Sequence, residues 1–126
     1  MKKMGNDFLE NEKYLQAIYQ YTAGINIIPK YPVFYLNRAT AYMRRNWYGD
    51  VYAALRDCHT ALRLDPSYMK AHFRMARALL GLGCVEEATE CLDELKARFP
   101  SHANNNSVML LQKDINSKME VSEREA

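Results

Sequence analysis

The sequence predicts an all-α chain, a stack of helix–turn–helix units, and two regularities carry that prediction. Pro29, Pro66 and Pro100 each close an apolar helical run, and each lies 12 residues after a small residue, Ala17, Ala54 and Ala88. Pro66 and Pro100 are 34 residues apart, and Pro29 and Pro66 are 37 apart, which is 34 plus a three-residue insertion. A fixed period in this range marks a linear array of units, each too small to bury its own apolar face. The second regularity is a small residue at constant phase in the preceding helix. Gly5 precedes Ala17 and Ala76 precedes Ala88 by the same 12 residues, whereas Ala39 precedes Ala54 by 15. Helix axes that pack about 8–10 Å apart need such a position, because a large side chain there holds the backbones apart.

The first unit, 1–31, carries Tyr14, Ala17, Ile18, Tyr21 and Ile25 as the i, i+3/i+4 stripe of its second helix, ending at Ile28-Pro29. Counted against the period, this unit lacks about three residues at its start, so the expectation is a chain beginning inside a helix of something longer. The second unit, 32–68, opens on Pro32, which suits the first turn of a helix. Tyr35, Ala39 and Tyr42 mark one face of its first helix, and Tyr52, Leu55, Cys58 and Leu62 the stripe of its second, before Asp65-Pro66. Between them Arg44-Arg45-Asn46-Trp47-Tyr48-Gly49-Asp50 is longer than an ordinary turn and holds the insertion. The third unit, 69–102, places Phe73, Ala76, Leu79 and Leu80 inward on one helix and Val85, Ala88, Leu92 and Leu95 on the next. Gly81 and Gly83 punctuate its turn, and Phe99-Pro100 its end. Residues 103–120 read as a capping helix, started by Ser107, with Val108, Leu111, Ile115 and Met119 inward and Gln112, Lys113, Asp114 and Asn116 toward water. Residues 121–126 are expected to fray.

Bulk composition narrows the function classes. The 126 residues are 48% hydrophobic and carry a net charge of +2, from 17 basic and 15 acidic side chains. That balance offers no field for nucleic acid or anionic membrane, and Arg44-Arg45 is too short for a basic patch. Cys58, Cys84 and Cys91 are odd in number and lack CxxC spacing, which argues against a zinc site or a disulfide framework and for reduced thiols in helices. His59, His72 and His102 lie in different units without ligand spacing. Asp57-Cys58-His59 suggests a catalytic set, but neighbours along a helix point apart, so no enzyme and no cofactor are expected. No apolar run reaches membrane-spanning length, and a cytoplasmic or nuclear setting is the expectation.

Particular residues carry a resemblance. Gly5-Asn6, Tyr14-x-x-Ala17-Ile18, Asn37-Arg38-Ala39-x-Ala41-Tyr42, Ala54-Leu55-Arg56-Asp57-Cys58, Ala61-Leu62-x-Leu64-Asp65-Pro66 and Lys70-Ala71-x-x-Arg74 resemble the tetratricopeptide repeat family over about residues 1–102. The resemblance implies a right-handed superhelix of three repeats plus a capping helix, in which the first helix of each pair lines a concave groove for extended peptides. The insertion with its Trp and Gly-Asp is similar to a subfamily that joins such repeats to a WD40 propeller. That subfamily serves as substrate receptor for the cullin-4/DDB1 ubiquitin ligase, and the resemblance implies a place in such an assembly.

On the helices that would line the groove, Lys2 and Asn6 are i, i+4 neighbours, as are Lys70 and Arg74, and Asn37 stands two residues before Ala39 as Arg74 does before Ala76. Two cations, two amides and a guanidinium suit carboxylates, since Arg offers a planar fork, Lys a point charge and Asn an amide donor. The five match, by resemblance, the two-carboxylate clamp of co-chaperones that hold the C-terminal Glu-Glu-Val-Asp tails of Hsp70 and Hsp90. A plainer reading stands beside it, with Asn37 holding local backbone and Lys70 and Arg74 as solvated helix surface. Trp47 and Tyr48 form a second candidate, an anchor for a protein partner. The preferred alternative has Trp47 folded back over the second helix pair. Tyr14, Tyr21, Tyr35 and Tyr42 are expected in the core.

Overall fold

Apolar stripes at helical period fold here as helices that bury those stripes against one another. The structure is a computed structural model that describes residues 2–125, with side chains described through Val121. Its helices are α1 Lys2–Glu10, α2 Tyr14–Ile27, α3 Pro32–Arg45, α4 Asp50–Leu64, α5 Met69–Gly81, α6 Val85–Arg98 and α7 Asn106–Glu125, with a 3₁₀ turn at Pro100–His102. Each packs on the next along the chain, and α3 also reaches α1 and α5, so the odd-numbered helices form one layer. Ala17, Ala39, Ala54, Ala76 and Ala88 are fully buried, as helix crossings at close range require. Tyr21, Leu92, Leu95, Leu111 and Ile115 are the largest fully buried side chains besides Cys58.

The insertion is spread over three elements. Relative to α5, its following turn and α6, one residue is added at the end of α3, one in the connection and one at the start of α4. The longer connection needs two left-handed residues, Asn46 at φ 53° and Gly49 at φ 84°. Asp50 closes it: its carboxylate takes two hydrogen bonds from the Arg45 guanidinium at 2.8 Å and one from the Trp47 backbone N–H at 2.9 Å. Those donors, Arg45 first, hold the Asp50 carboxyl below the usual range against its burial. The folded pKa therefore lies below the unfolded one. The stabilisation is complete above the unfolded value near ~4 and drains away as pH falls through the folded value. Asp50→Asn should cost about 1–2 kcal/mol at pH 7 and much less at pH 2. Urea melts at the two pH values check this, and an equal cost at both removes the ion pair from the account.

Arg38 explains itself in the same way. Its guanidinium donates to both oxygens of Asp57 at 2.7 Å, tying α3 to α4. That bond pushes the Arg38 pKa up, and it places Asp57 in the core at 3% exposure with its charge satisfied.

Several sequence expectations change at the surface and at the cap. Tyr52 is 68% exposed and does not join the α4 stripe, and Met119 is 44% exposed, past the packed part of α7. Asn105, not Ser107, caps α7, accepting the Val108 N–H at 2.8 Å. Gln112 and Asp114 turn back to the stack, accepting from Lys96 and Arg77 at 2.7 Å, because α7 packs on both α5 and α6. The helix is described to Glu125, and Ala126, the last of the residues expected to fray, lies outside the described residues. Cys84 occupies the N-cap position of α6 without a side-chain cap bond, and does not sit within a helix. Tyr21 is fully buried, whereas Tyr14, Tyr35 and Tyr42 are half-buried.

Candidate peptide-binding groove

One open groove of about 650 Å³ runs across α1, α3 and α5, and Lys2, Asn6, Asn37, Lys70 and Arg74 all line it. The spacing that placed Lys2 with Asn6 and Lys70 with Arg74 on single helix faces thus converges on one concavity. Leu9, Val33 and Leu36 supply apolar floor between the polar groups.

The amides are oriented by their neighbours. The Tyr21 hydroxyl donates to Asn6 Oδ1, and Asn37 Nδ2 donates to the same oxygen at 3.3 Å. With its carbonyl oxygen occupied twice, Asn6 leaves its NH₂ for the groove, and Asn37 keeps one N–H free. Both are donors, which a carboxylate wants. Tyr21 is held to that duty: burial pushes its pKa up to about 12, with Arg44 pulling the other way, so the hydroxyl keeps its proton.

The cations are uncompensated. None of the four ion pairs among the described residues uses Lys2, Arg44, Lys70 or Arg74, and no Asp or Glu lines the groove. Burial, followed by the nearby Arg44 charge, lowers the Arg74 pKa. The charge of an anion in the groove would act against both. Arg44 was missed in the sequence as a lining residue. The signal was present, since Asn37, Thr40 and Arg44 follow one another at i, i+3 and i+7 on α3 and all line the groove.

Trp47 and Tyr48 lie outside this groove, in the α3–α4 connection. Trp47 does not fold back over the second helix pair. It is 63% exposed, with the Arg45 guanidinium 4.2 Å above its ring centroid. His72 Nε2 meets the Pro66 carbonyl oxygen at 2.8 Å, a structural contact.

The family model for the tetratricopeptide repeat matches residues 48–105. WD and tetratricopeptide repeats protein 1 of mouse and human is 44% identical over 115 residues, which is 91% of this chain and 17% of that relative. The chain therefore spans about a sixth of that protein. Among solved structures, the first such domain of Spaghetti (RPAP3), bound to the HSP90 peptide SRMEEVD, is 32% identical with a TM-score of 0.84, covering 94% of this chain and 90% of that one. The second domain of human RPAP3, in complex with the HSP70 peptide SGPTIEEVD, is 31% identical with a TM-score of 0.80, covering 91% of each. Three helix pairs with a capping helix, matched in sequence and end to end in structure, place this chain in the tetratricopeptide repeat family, a fold of protein-interaction modules and not of enzymes.

Proposed function

We propose that the groove binds the C-terminus of an acidic peptide through a two-carboxylate clamp of Lys2, Asn6, Asn37, Lys70 and Arg74, of the type that holds Hsp70 and Hsp90 tails. The observation that carries this reading is the meeting of those five side chains, from three helices, in a groove with four cations and no carboxylate. Similar domains with HSP90 and HSP70 peptides bound support it. The terminal carboxylate lies against Lys2 and the Asn6 and Asn37 amides, and a second carboxylate meets the Arg74 fork and Lys70. Ordering a flexible peptide opposes these few contacts, so the dissociation constant is on the order of micromolar and rises with salt. A cytoplasmic or nuclear setting belongs to the same proposal.

The test is a calorimetric titration with a peptide ending Met-Glu-Glu-Val-Asp beside the same peptide amidated at its C-terminus. Amidation should weaken binding about tenfold, the worth of one charge-assisted contact pair. Equal affinity for the two forms rejects the clamp.

A second reading concerns the larger protein, and the 44% identity to a WD-repeat protein favours it. There the domain is a scaffold in a cullin-4/DDB1 ubiquitin-ligase substrate receptor and engages folded partners. The readings are compatible, since a receptor recruits through whatever groove it has.

A further inference from the structure

The α3–α4 connection builds a second surface that shares no lining residue with the groove. Trp47, Tyr48 and Tyr52 are 63%, 107% and 68% exposed, and with Val51 and Leu82 they line a shallow hollow of about 420 Å³. Exposed aromatic rings are unfavourable in water, and a slack loop would lay them on the nearest apolar surface. This loop is tethered. Asp50 grips Arg45 through both carboxylate oxygens and also accepts the Trp47 N–H, and the fixed guanidinium covers one face of the indole. The other face is presented to solvent in a set pose.

Charge and size decide what fits there. Arg45 and Asp50 neutralise each other at 2.8 Å, and no charged residue lines the hollow, so an ionic ligand gains nothing. At about 150–250 Å² per aromatic side chain, scaled by exposure, the three rings offer roughly 400–500 Å², short of the ~800 Å² per partner of a stable dimer. The polar tips, one indole N–H and two phenol hydroxyls, are all donors. A slim, uncharged segment with free backbone carbonyls and flat apolar rings matches faces and tips together. We propose that this aromatic platform binds a proline-rich segment in the polyproline II conformation, whose preformed backbone loses little entropy on docking.

Trp47 is the chain's one tryptophan, so its emission reports on the platform directly. The probe is acetylated, amidated decaproline, with a Gly-Ser peptide of equal length as control. Decaproline should give a saturable blue shift, and the Gly-Ser peptide none. Tyr48→Ala and Tyr52→Ala, both at exposed positions, should each weaken the response about fivefold or more. A Met-Glu-Glu-Val-Asp peptide should leave the emission unchanged even while it binds by calorimetry, which separates this site from the groove. Four results would overturn the proposal: no saturable shift, an equal shift with the Gly-Ser peptide, full affinity in both variants, or a shift on concentrating the protein alone. The last would assign the platform to a second copy of the chain.

Discussion

Arg74→Ala is expected to reduce affinity for a Glu-Glu-Val-Asp peptide about a hundredfold while leaving the fold as stable as before. The two halves of that expectation come from one environment. Arg74 is half-buried, with its charge disfavoured by burial and by the Arg44 guanidinium. No ion pair among the described residues relieves it. Truncating it therefore removes a charge the folded domain carries at a cost, and midpoint denaturant concentration should hold or rise. In the complex the same guanidinium is the forked partner of a carboxylate shielded from water. Removing one member of such a pair costs about 2–5 kcal/mol, and a half-buried site belongs near 3 kcal/mol, about a hundredfold. Arg74→Lys should recover little, because an ammonium cannot make the bidentate contact. Lys70→Ala, at an exposed position, should cost about tenfold or less. Fluorescence anisotropy with a labelled peptide measures all three. Binding by Arg74→Ala within twofold of wild type would refute the clamp.

The parts of this molecule that were legible in its sequence are those that repeat. The prolines and the buried alanines recur because each unit solves one packing problem in the same way, and the period follows from that. The groove cations were legible in pairs, since i, i+4 spacing alone puts Lys70 and Arg74 on one face. Arg44 was legible only through its i+7 spacing from Asn37 on α3, because it borders the insertion, where the repeat supplies no counterpart to mark it as a groove residue. Asn105 was hidden for a different reason. Asn104, Asn105, Asn106 and Ser107 are all capping residues, and only the packing of Val108, Leu111 and Ile115 against α5 and α6 selects among them. Trp47 is a third case. Hydrophobicity predicts burial, and it is overruled by a local tether of Arg45 and Asp50 whose partners lie within five residues of each other but whose geometry depends on two left-handed residues.

Gly5 is where fold and site meet, and Gly5→Val is expected to damage both. A Cβ at this position would stand 2.5 Å from Tyr21 Cε1 and 2.9 Å from two more ring atoms. The ring cannot yield, since Tyr21 is fully buried among Ala17, Ile18, Phe34 and Ala41. Overpacking of this kind costs about 1–3 kcal/mol, and a branched side chain against an immobile ring belongs at the upper end. With the ring fixed, α1 must back away and carry Asn6 Oδ1 from the Tyr21 hydroxyl, so peptide affinity should fall at least tenfold through an amide that has lost its orientation. Tyr21→Phe separates the two effects. It keeps the ring over Gly5 and removes only the donor, so stability should drop by about 1 kcal/mol while affinity falls about fivefold. Urea melts and calorimetry on both variants decide. A Gly5→Val protein with wild-type midpoint would show that α1 shifts freely over α2. Undiminished binding by Tyr21→Phe would mean that Asn37 alone sets the Asn6 amide, leaving Tyr21 a packing residue and nothing more.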